Sequence, residues 1–91
     1  NQAALAADAL DLGYSIDFEL LDILSKLLEK TIPDNYCGSK PPQRSYEDEI
    51  SGLDLFAFLV EIDRFDERIY YKFSISQDAF WLVSLHKDRK E

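Results

Sequence analysis

Ninety-one residues, 46% of them apolar, suffice for one small core and exclude a solvated, disordered coil. A net charge of −8 favours a basic partner and disfavours loose, non-specific adhesion to nucleic acid. No apolar run approaches the roughly 18 residues that span a bilayer, and a lone Cys37 cannot close an internal disulfide, which points to a reducing, cytoplasmic setting. The chain has no methionine, even at position 1, and Asn1-Gln2-Ala3-Ala4 reads as a helix already under way, so residues upstream are expected.

Residues 2–12 are rich in alanine and leucine, which favour helix, and Gly13 supplies a C-terminal stop. Ser15 then caps a second helix over residues 16–31, with Asp17 and Glu19 complementing its dipole. Ile16, Leu20, Ile23, Leu24, Leu27 and Leu28 recur every three or four residues as one apolar stripe, opposite Asp17, Asp22, Lys26, Glu29 and Lys30. Pro33 ends the helix. Residues 33–49, with three prolines and Gly38, read as an irregular loop, long enough in so small a domain to be functional or mobile.

From Leu53 the apolar period falls from 3.6 to 2. Residues 54–62 are apolar on both faces, which predicts a strand covered on both sides and central in its sheet. Residues 68–75 alternate, with Ile69, Tyr71, Phe73 and Ile75 on one face and Arg68, Tyr70, Lys72 and Ser74 on the other. Residues 79–86 form a third strand in which Trp81, among Ala79, Val83 and Leu85, reads as core. Short polar connections predict successive hairpins. The expected fold is a single α+β domain over residues 1–91, two N-terminal helices packed on one face of a three-stranded antiparallel β-meander.

No phosphate loop, zinc spacing or other strong catalytic signature is present. With one Cys and one His, no Cys/His metal cluster can form within the chain, and a Cys37–His86 nucleophile pair is the weakest of the catalytic options. Charge is unevenly spread. Residues 1–30 carry six acids against Lys26 and Lys30, whereas residues 68–91 set Arg68, Lys72, Lys87, Arg89 and Lys90 against Asp78, Asp88 and Glu91. Antiparallel pairing with a turn near residues 76–78 brings His86 beside Arg68 and Tyr70, with Lys72 further along the same face. Cations of this kind hold a phosphodiester and stabilise its developing charge while His or Tyr moves protons, as metal-free RNA cleavage requires. The plain alternative is a solvated strand face with a charged tail.

The order of elements resembles the RelE-like ribonuclease toxins of bacterial toxin–antitoxin modules, and within them the motility quorum-sensing regulator (MqsR) toxins. The resemblance covers about residues 3–90 and rests on Leu12-Gly13-Tyr14, Ile69-Tyr70-Tyr71-Lys72 and Val83-Ser84-Leu85-His86-Lys87. It implies a RelE-like fold with a leading strand before Asn1, a role for Tyr70 in RNA binding or proton transfer, and Lys87 or His86 in place of the terminal-strand lysine. It also implies phosphate contact by Lys72. The chain departs from that pattern in its acidity and in carrying His86 where the subgroup has lysine.

Two functional expectations follow. The first is a toxin-like, metal-independent endoribonuclease acting on mRNA, free or in the ribosome, with Tyr70, His86 and Lys87 catalytic and Arg68, Lys72 and Arg89 on phosphate. It needs no cofactor and has a cognate antitoxin as protein partner. The second is a non-catalytic acidic inhibitor or immunity-type protein that neutralises a basic partner through Asp17, Glu19 and Asp22, residues that otherwise are ordinary helix-surface charges.

Overall fold

The computed structural model describes residues 2–77 and 79–89. Helix α1 spans Gln2–Leu12 and α2 Ile16–Lys30, and three strands follow, β1 Phe56–Val60, β2 Ile69–Ser76 and β3 Ala79–Lys87. The corner between the helices is set by Gly13, whose φ of 78° a side-chain-bearing residue rarely adopts. There the Gly13 N–H reaches Leu10 O at 3.2 Å and the Tyr14 N–H reaches Ala9 O at 3.1 Å, the paired bonds of a Schellman ending. Ser15 opens α2: its Oγ accepts from the Phe18 N–H, and its own N–H donates to Glu19 Oε1 at 3.0 Å. Among the described residues no helix is long and apolar enough to cross a membrane.

The sheet is antiparallel in the order β1-β2-β3, an α+β arrangement of two helices followed by a meander. Ala9, Tyr14, Ile23, Leu24 and Leu27 of the helical half close over Val60, Ile69, Tyr71, Phe73 and Leu85 of the strands. Burying side chains of this size is the main stabilising term. A part-buried polar link also joins the end of α2 to β2. The Thr31 hydroxyl donates its only proton to Leu27 O, so the Tyr71 hydroxyl, 2.6 Å from Thr31 Oγ1, must be the donor between them.

Two expectations about the strands are corrected. The central strand is β2, not the segment after Leu53. That segment holds the first strand of the sheet, with the proline-rich loop bonded along its outer edge. Tyr36 bridges Phe58, Arg44 bridges Asp54, the Cys37 N–H donates to Ala57 O at 2.9 Å and the Leu55 N–H to Gln43 O at 2.7 Å. Trp81 is not core but 40% exposed. A bulge shifts the β2–β3 register between Lys72 and Phe73, so that Lys72 faces Ser84 while Phe73 faces Leu82. The one residue skipped in β3, Val83, reverses the phase beyond it. Leu82 takes the inward place against the core, and Trp81 pairs with Ser74 on the far face.

Candidate functional site

The helices cover one face of the sheet, and the positions between the core residues form the other. On β2 that open face carries Tyr70 and Lys72, with Arg68 just before the strand; across the ladder Tyr70 pairs with His86 and Lys72 with Ser84. The Tyr70 and His86 rings stack with centroids 4.8 Å apart and planes 14° from parallel. Both residues are half-buried, so they are held in place yet reach solvent. Ser74, next along the face, departs from the expected polar row. It is fully buried beneath the segment leading into β1, and its Oγ donates to Asp54 O at 2.7 Å.

His86 Nδ1 lies 2.8 Å from Lys87 O, a carbonyl that can only accept, so Nδ1 is the donor of that bond, and in the neutral imidazole the lone pair is left on Nε2. Burial, then the neighbouring Cys37, push the Tyr70 hydroxyl above the ordinary tyrosine range, so it stays protonated and acts as a donor. Burial, then the Asp88 carboxylate, raise the Cys37 thiol as well. A protonated thiol is a poor nucleophile, which counts against a Cys37–His86 pair.

The remaining basic residues divide by strand parity. Arg68 shares the open face but is paired with Asp88, Nη2 to Oδ2 at 2.8 Å. Lys87 and Arg89 do not join the patch. Lys87 stands opposite Ile69 on the helix face, where its Nζ is 3.4 Å from Asp11, and Arg89 reaches Asp8 of α1 at 3.0 Å. Successive strand residues point to opposite faces, so the neighbour of a site histidine necessarily leaves the site. Lys87 and His86 are therefore not interchangeable at this patch. Among the described residues no group of three His, Cys, Asp or Glu side chains is placed to hold a metal ion.

The acidic trio of α2 is only partly available. Glu19 is engaged by the Ser15 N–H and lies 3.4 Å from Arg64, contacts that hold its carboxyl below the usual range, the backbone bond contributing most. Asp22 pairs with Lys26 at 3.0 Å, while Asp17 is exposed. Two residues absent from the sequence-derived site stand out beside them. Phe18 is 90% and Leu21 83% exposed, on a helix whose opposite stripe is buried. Their i, i+3 spacing, out of phase with the core stripe, was the available signal. A second omission is the groove beside Lys72, about 690 Å³, walled by Gln43, Arg44, Ser45, Tyr46 and Glu47. No family model, curated protein or solved structure matches the chain.

Proposed function

We propose that the chain is a metal-independent endoribonuclease of the toxin type, acting on mRNA through the open sheet face. The observation that supports this reading is the Tyr70–His86 stack with Lys72 on the same face, the imidazole offering a lone pair at Nε2. In the proposed step His86 Nε2 takes the proton of a ribose 2′-hydroxyl. The freed oxygen attacks the adjacent phosphorus, and the 5′-oxygen of the next nucleotide departs, receiving a proton from the imidazolium. The products are a 2′,3′-cyclic phosphate and a 5′-hydroxyl. Lys72 offsets the charge that develops on the phosphoryl oxygens, and the Tyr70 hydroxyl donates to one of them. Lys87 and Arg89 have no part in the chemistry. They tie the end of β3 to α1. The reading carries with it a cognate antitoxin as protein partner and the cytoplasm as compartment.

The test is induced expression in bacteria of wild type and of His86→Ala combined with Tyr70→Phe, scored by growth and by mapping of transcript ends. Wild type should arrest growth and leave new 5′-hydroxyl ends, and the double variant should lose roughly 10²–10⁴ in cleavage rate. Undisturbed growth and intact transcripts with wild type would sink the enzyme reading.

A second reading, a non-catalytic protein that neutralises a basic partner, is favoured by a separate observation. Phe18 and Leu21 are bare apolar groups set beside Asp17 and Asp22, an apolar centre with an acidic border.

A further inference from the structure

The open face is electrically lopsided. Beyond Arg68 lies a hollow lined by Glu61, Asp66, Glu67, Arg68 and Asp88, four acids around one cation that is already paired. Beyond Lys72 lies the groove of about 690 Å³, whose lining sets Lys72 and Arg44 against Glu47, while Asp48 and Glu49 line the adjoining hollow on the other side of Tyr46. Arg44 touches Asp54 only at 4.0 Å and keeps a side chain 76% exposed. Lys72 stands two residues along β2 from Tyr70, about 7 Å on a strand. A polyanion whose scissile phosphate sits at Tyr70–His86 therefore finds Lys72 and Arg44 on one side and only the Asp88-paired Arg68 on the other.

The rim of that groove adds a second kind of contact. Tyr46 is 96% exposed, an aromatic ring with both faces wet. It is held out by an ordered segment rather than a trailing loop. The Ser45 N–H donates to Leu53 O and the Gly52 N–H to Ser45 O, each at 2.9 Å, and Ser45 itself is buried. A cation-lined groove with an aromatic ring at its edge is the arrangement by which proteins hold single-stranded nucleic acid, phosphates on the cations and a base on the ring.

We propose that the Lys72–Arg44–Tyr46 groove is a one-sided subsite for single-stranded RNA. It takes the nucleotide next to the cleaved linkage on one side, stacking that base on Tyr46, while the Arg68–Asp88 end takes none. This rests on the ribonuclease reading for the position of the cleaved bond, but binding in the groove is measurable without cleavage.

The experiment uses fluorescein-labelled oligonucleotides with 2′-deoxy sugars, which lack the internal nucleophile, and reads anisotropy across a salt series. Tyr46→Ala and Lys72→Gln should each weaken binding roughly tenfold. Lys72→Gln should also lower the slope of log Kd against log salt by about one, and Arg68→Gln should cost no more than about twofold. In parallel, cleavable RNAs lengthened by one nucleotide at a time should gain kcat/KM on one side of the cut only. If wild type cleaves RNA but Tyr46→Ala and Lys72→Gln bind as wild type does, the groove is overturned and the nuclease stands. If the oligonucleotides bind through Tyr46 and Lys72 but no RNA is cut, the groove stands and the chemistry falls. If Arg68→Gln weakens binding more than Lys72→Gln, the direction is wrong and the proposal is overturned.

Discussion

On the helix face of the sheet, Ile69, Tyr71 and Leu85 are fully buried, and Lys87 and Arg89 pair with Asp11 and Asp8 of α1. On the other face Tyr70 and His86 stack on each other, and they and Lys72 are half-buried, open in part to solvent. The same two strands supply both sets. Leu85 and His86 are neighbours in sequence, yet one is packing and the other is available for chemistry. The contrast separates the residues that keep the fold from those that could serve a substrate, and it can be tested residue by residue.

The largest effect should come from Leu85→Ala, which empties a fully enclosed site and should cost about 2–5 kcal/mol in urea unfolding. His86→Ala, one residue on, should leave the unfolding midpoint within about 1 kcal/mol of wild type, having only a ring stack and an exposed hydrogen bond to lose. Equal losses for the two would erase the distinction between the faces. Charge reversal at Asp17, Glu19 and Asp22 should cut the affinity for a basic partner by about tenfold if the second functional reading holds, and leave RNA cleavage alone. Calorimetric titration against the partner, with His86→Ala as the counterpart variant, tells the two readings apart. The smallest effect is expected from Lys87→Ala. Its contact with Asp11 is about half exposed on both sides, so its loss should cost about 1 kcal/mol or less. RNA cleavage should persist, and a loss comparable to that of His86→Ala would return Lys87 to the site.

The parts of the fold carried by periodic pattern were legible in the sequence. The α2 stripe with its Ser15 cap and the alternation of β2 each follow from one repeating rule, and hairpin geometry alone brought His86 to Tyr70. What escaped depended on events at single positions or on contacts remote in sequence. The bulge at Val83 leaves no compositional trace, so plain alternation from Leu85 points Trp81 inward although the phase has reversed before it. Ala57 is buried on the face away from the helices, and β1 sits under a strap of loop. The strap depends on pairing with residues ten to twenty-two positions earlier, and the same apolar pattern would arise in a central strand. Phe18 and Leu21 are apolar in an otherwise polar sector of α2, and composition cannot say which apolar residues of a helix will remain uncovered. The groove at Tyr46 was hidden because its wall belongs to a segment with no regular repeat.

The strap along β1 has a further consequence for assembly. It occupies that side's main-chain donors and acceptors from Tyr36 to Arg44, whereas among the described residues no strand pairs with the far side of β3. A sheet whose β1 flank is already bonded to its own loop can add a strand only beyond β3, the strand against which α1 packs.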